Sequence, residues 1–204
     1  MTPLQVYRDD GPLAAWIGRL SLALGLGEIP LTILGALPLV VVLAWPVSAL
    51  SATAVALAVV VLVLLAGAAS GRAAPGRFAW VAPPVLRAVE YGTLVKLVAL
   101  TDGDWMPACY VLLALLAFHH YDAVYRLRHQ RVAPPAWVRA AAGGWDGRLL
   151  VACFLALLGV LGPAMIVVLA IAVPALVAES VLSWLRFVAQ ERVATYEDED
   201  VQDA

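Results

Sequence analysis

The chain has 204 residues, of which 63% are hydrophobic and 14% charged, with a formal net charge of -2 and a mean hydropathy of +0.90. This composition predicts one membrane domain and leaves no room for a separate soluble one. The net charge says little about partners, but the positions of the charges say more.

Residues 1–12 are polar, with Arg8, Asp9 and Asp10. No short apolar core with a small-residue cleavage site follows, so the first span is expected to act as an uncleaved signal. Residues 12–27 carry Arg19 and Ser21 among apolar residues, with Trp16. They read as an amphipathic helix lying on the membrane; the alternative is the start of a long tilted first span. The first span is expected at 29–45, with Pro30 at its start and Pro38 kinking it. The second covers 52–69. The loop 70–84 is marked by Gly71, Pro75, Gly76, Pro83 and Pro84 and carries Arg72 and Arg77. The third span runs over 85–100 and ends at the acidic loop 101–104. The fourth covers 106–124. The connection 125–148 holds Arg126, Arg128, Arg131, Arg139 and Arg148 against Asp146 alone. The fifth span begins at Arg148 and turns near Gly162 and Pro163 or a few residues later; the sixth runs over 164–187. Residues 191–204 form an acidic tail expected to be disordered.

The chain therefore divides into a cytoplasmic N-terminus with an interfacial helix (1–28), an all-α domain of six transmembrane helices (29–190) and the tail (191–204). The loops after spans two and four are basic and the loop after span three is acidic, which puts both termini in the cytoplasm of a bacterial plasma membrane.

That topology brings the intramembrane charges to one depth. Arg87, Glu90 and Tyr91 share a face at the inner end of span three. His119, Asp122 and Arg126 do so on span four, and Glu179, Ser183 and Arg186 on span six. Asp146 and Arg148 open span five. Two readings fit. One is a structural network, with Glu90 pairing an arginine, Asp122 pairing Arg126 along its helix and Glu179 pairing Arg186 or a neighbour. The other is a cytoplasm-facing cavity. There Arg87, Arg126, Arg128, Arg148 and Arg186 would hold phosphate or an anionic lipid, and Glu90, His119, Asp122 or Glu179 would do proton work.

Lys96 lies deeper, expected to snorkel outward or to pair with Asp102 or Asp104. His119 and His120 point apart on a helix, so no metal is assigned, nor any cofactor. Cys109 and Cys153 read as apolar packing residues at different depths. Tyr121, Tyr125, Trp137 and Trp145 read as an interfacial aromatic belt. The basic loop faces an anionic membrane surface, so no nucleic acid is expected.

A surface helix, six spans and a polar inner-leaflet layer resemble the CDP-alcohol phosphatidyltransferases. The strings EYGTLVKLVALTDGDW, HHYDAVYRLRH and GGWDGRLL, within residues 90–150, resemble more closely an uncharacterised actinobacterial membrane domain related to them. In some proteins that domain lies behind such an enzyme domain. The resemblance implies a possible homodimer and a place in phospholipid or lipid-linked sugar metabolism. The enzyme motif D-x2-D-G-x2-A-R-x8-G-x3-D-x3-D uses its carboxylates to hold divalent metal ions. Here Gly71 and Ala74 match, Gly67 and Ser70 replace two carboxylates, and Pro75 replaces the arginine. A two-residue shift brings Glu90 onto the last acidic position, with Leu86 at the one before. The expectation is a non-catalytic or repurposed relative that binds an anionic lipid or a partner. The alternatives are an active head-group transferase or hydrolase with His119 or Asp122 as base, and a small transporter using Glu90 and Lys96.

Overall fold

The computed structural model describes residues 7–20, 26–70, 78–130 and 143–202; for 79, 130 and 189–202 it describes the backbone alone. Among these residues every regular element is helical. The helices are α1 (Pro12–Arg19), α2 (Glu28–Ala44), α3 (Ala52–Ala68), α4 (Ala82–Ala99), α5 (Met106–Tyr125), α6 (Gly144–Leu157) and α7 (Leu161–Gln202). A π-helical turn at Arg126–Gln130 prolongs α5. The expected positions of Gly71, Arg72, Ala74, Arg77, Arg131, Trp137 and Arg139 lie outside the described residues.

Local chemistry sets the helix ends. Ser51 caps α3, its hydroxyl accepting from Ala54 N at 3.2 Å. Pro12, Pro83 and Pro107 fall in the first turns of α1, α4 and α5, where a missing N–H costs nothing. α4 consequently begins three residues before the expected start of span three. The turn after α6 comes earlier than expected. Gly159 adopts a left-handed φ of 71° and donates to Ala156 O at 3.0 Å, while Val160 donates to Leu155 O at 2.9 Å. Gly162 and Pro163 then sit in the first turn of α7, not in the loop.

The molecule divides into two units, 1–165 and 166–204. In the first, α2 and α6 each pack against both α3 and α4, α5 packs on α4, and α1 lies across α3 and α6. Leu31, Leu39, Val55, Val59, Leu62, Leu86, Leu97 and Leu149 form the centre of the core. The second unit is the remainder of α7. Its backbone stays helical through the acidic stretch to Gln202, where disorder was expected. No proline or glycine follows Pro174 before that point to end the helix.

Outward faces are apolar. Leu57 is 64% exposed, Phe154 61% and Tyr110 61%, and Leu37, Val41, Val151, Ile171 and Leu182 are exposed too. Meanwhile Arg8, Glu28, Glu90, His119, Arg126 and Asp146 are buried. Met106–His129 and Leu161–Val188 are long and apolar enough to cross a membrane; Glu28–Ala44 and Ala52–Ala68 are apolar but shorter.

Gly144 fixes how the chain before α1 meets α6. It takes a φ of 67°, and a Cβ there would collide with the backbone of Gly11 and Asp10. Gly144→Ala is therefore expected to destabilise the protein by about 2–4 kcal/mol, read as a lowered unfolding midpoint in neutral detergent.

Candidate functional site

Glu90 is a fully enclosed acid, with a side chain 0% exposed. Arg87, one turn earlier on α4, donates from Nη1 to Glu90 Oε2 at 2.7 Å. Arg148, in the second turn of α6, donates from Nε to Oε1 at 2.5 Å. Each carboxylate oxygen thus has its own guanidinium, which offsets the desolvation that would otherwise make a buried carboxylate costly.

The second anion is Asp9, from the segment before α1. Three groups converge on one of its oxygens, Oδ2. Arg148 Nη2 donates at 2.8 Å, His120 Nε2 donates at 3.2 Å, and Arg87 Nη2 stands 3.7 Å away. Arg87 Nη2 also donates to the carbonyl of Arg8 at 2.9 Å. The Tyr91 hydroxyl lies 2.8 Å from His120 Nδ1. With Nε2–H donating to a carboxylate, Nδ1 accepts from that hydroxyl, so Tyr91 and Asp9 together set the tautomer. Burial alone would raise the Asp9 carboxyl. The His120 hydrogen bond and the charges of Arg148 and Arg87 outweigh it and hold the group well below the usual carboxylate range. Two arginines and two carboxylates leave this cluster neutral.

The residues flanking Asp9 are anchored as well. Arg8 donates from Nε to Asp10 Oδ2 at 2.9 Å, from Nη1 to Glu28 Oε1 at 2.7 Å, and from Nη2 to the Ala66 carbonyl at 2.9 Å. Asp10 Oδ1 accepts from the Trp145 indole at 2.8 Å. Asp146 caps α1 from another helix, accepting from Gly11 N at 2.6 Å and Ala14 N at 2.9 Å.

Several expectations are thereby corrected or refined. Arg8, Asp9 and Asp10, expected as a plain polar N-terminus, are the hub of the buried network. The nearest sequence signal was an Arg-Asp-Asp triplet in a chain with few charges. Of the two adjacent histidines, His120 joins the cluster, while His119 is buried beside it with ring centroids 5.5 Å apart. Asp122 pairs with Arg126 at 2.7 Å along its own helix, as one reading expected. Arg128 is exposed. Glu179 is half-buried and Arg186 exposed, both in the second unit. Trp145 is not part of an interfacial belt: it is 0% exposed, because its indole N–H is needed by Asp10. Lys96 pairs with neither Asp102 nor Asp104. It donates to the carbonyls of Leu43 and Trp45, closing the C-terminal end of α2. Cys109 and Cys153 are buried free thiols. Among the described residues, no three His, Cys, Asp or Glu side chains gather to form a metal-binding group.

A family model described as "Family of unknown function (DUF5941)" matches residues 2–201 of the chain. Neither a curated protein nor a solved structure matches it.

Two outcomes follow from the pairing. Glu90→Gln leaves Arg87 and Arg148 with excess positive charge in a buried site and is expected to cost about 3–5 kcal/mol of stability, measured by chemical denaturation in detergent. Because the Asp9 carboxyl is depressed in the folded state, its contribution is fully present above the unfolded value and is lost as pH falls. The stability gap between wild type and Asp9→Asn is expected to hold constant above about pH 5 and to narrow below about pH 4. Thermal unfolding at a series of pH values measures it.

Proposed function

For a chain that belongs to the DUF5941 family, we propose a multi-pass plasma-membrane protein with six spans, both termini cytoplasmic, that serves phospholipid or lipid-linked sugar metabolism by binding and not by catalysis. It would be a repurposed relative of the CDP-alcohol phosphatidyltransferases. The membrane reading is supported by the inversion of a soluble protein's surface: apolar residues face outward on α2, α3, α5 and α6, and charges face inward. Each of the six apolar runs of the sequence also overlaps a helix, α2 to α7, and Met106–His129 and Leu161–Val188 are long and apolar enough to cross a membrane.

The observation that carries the non-catalytic reading is the pairing of Glu90 between Arg87 and Arg148. The acidic side chain that best matches the enzyme motif is engaged by two guanidiniums, and a metal-assisted transferase would need its carboxylates on metal ions. The ion pair of Asp122 with the buried Arg126 speaks in the same direction for the other candidate base.

The test is turnover. The chain is expected in the membrane fraction after alkaline extraction. Reconstituted in nanodiscs with CDP-diacylglycerol, an alcohol acceptor and Mg²⁺ or Mn²⁺, it is expected to release no CMP. CMP release that disappears in Asp122→Asn and His119→Ala would replace this reading with an active transferase.

A further inference from the structure

The Asp9 site has the make-up of an anion receptor with its own side chain inside. A carboxylate oxygen meets two guanidiniums and an imidazole N–H at 2.8, 3.7 and 3.2 Å. Arginines presented by two helices, with a histidine from a third, form the donor set that recognises phosphate oxygens. The cradle is also reachable: Arg87, Arg148, His120 and Asp9 side chains keep 16%, 14%, 17% and 13% exposure, while Glu90 beneath them keeps none.

Charge and conformation bear on exchange. With Asp9 withdrawn, Arg87, Arg148 and Glu90 leave one net positive charge, which a singly charged oxyanion balances. Asp9 itself holds a φ of 53°, an uncommon conformation for a residue with a side chain. Its neighbours are tied independently: Arg8 to Glu28 and Ala66, Asp10 to Trp145, Gly11 to Asp146. Swinging out the Asp9 carboxylate breaks none of those contacts.

We propose that Arg87, Arg148 and His120 form a binding site for a phosphate monoanion, such as a phosphodiester head group, and that Asp9 occupies it in cis as a displaceable competitor. This rests on the binding role proposed above and names its ligand chemistry. An occupant of this kind weakens the apparent affinity by the fraction of time the site stands open.

The test uses the full chain with Asp9→Gly, which removes the carboxylate and suits the left-handed backbone. Inorganic phosphate, titrated in neutral detergent, is expected to raise the unfolding midpoint of Asp9→Gly at a concentration at least about tenfold below that needed by wild type. Adding Arg148→Gln is expected to abolish the response. In a second arm, nanodiscs of phosphatidylglycerol are compared with phosphatidylcholine. Stabilisation by phosphate alone identifies a free-phosphate site, and stabilisation by phosphatidylglycerol alone a lipid head-group site. A folded Asp9→Gly protein that responds to neither probe, or that responds equally with Arg148→Gln present, overturns the proposal. Should Asp9→Gly not fold, Asp9→Asn, which keeps an amide in the cradle and tolerates the same backbone, decides on the same readout. If neither variant folds, Asp9 is an obligatory counter-ion and the proposal falls. CMP release in the turnover assay would sink the non-catalytic reading while leaving this one standing.

Discussion

The first unit depends on a charge balance built around the fully enclosed Glu90 carboxylate. Arg148 bridges two carboxylates, Glu90 and Asp9, and Arg87 leans on the same pair. Each ion would be expensive alone in a low-dielectric interior, and each becomes tolerable because the others are there. The cluster thereby ties α4, α5 and α6 to the segment before α1 in one arrangement. Hydrophobic packing among Leu31, Leu62, Leu86 and Leu149 is non-directional and would accept small slides of these helices. The ion pairs, with fixed donors and acceptors, would not.

Around that cluster the chain spends its remaining polar groups on helix ends. Asp146 caps α1, Lys96 closes α2, Arg8 reaches the Ala66 carbonyl near the end of α3, and Ser51 opens that same helix. A backbone N–H or C=O left open at a helix end that is shielded from water goes unsatisfied unless a side chain reaches it. The basic and acidic side chains thus satisfy helix-end groups of elements other than their own.

Most of the helical layout was legible because apolar runs bounded by proline, glycine and charge are a local signal. α2, α3 and α5 start and end within a residue of the expected spans. The turn between α6 and α7 was misplaced because Gly159 and Gly162 look equivalent in sequence, and only the left-handed backbone at Gly159 distinguishes them. Part of the cluster is legible: Arg87, Glu90, Tyr91 and Arg148 stand out as polar residues at the ends of apolar runs, and pairing of Glu90 with an arginine is one of the two readings that fit them. Asp9 was missed because its partners lie 111 and 139 residues away on His120 and Arg148. Nothing local marks a solvated-looking aspartate as the partner of distant arginines. Trp145 was misjudged for the same reason, since its partner Asp10 is 135 residues distant.

The cap that Asp146 places on α1 has an implication for how the protein is made. Gly11 and Asp146 are separated by 135 residues. At ordinary ribosomal speeds the first waits on the order of ten seconds for the second to be synthesised. Throughout that interval Asp9, Asp10 and Gly11 lack their partners on α6, while Arg8 can already meet Glu28 and the Ala66 carbonyl. Closure onto α6 is therefore a late, long-range event in biogenesis, and a ribosome that stalls before codon 146 leaves a product whose Gly11 and Ala14 amides lack their carboxylate cap.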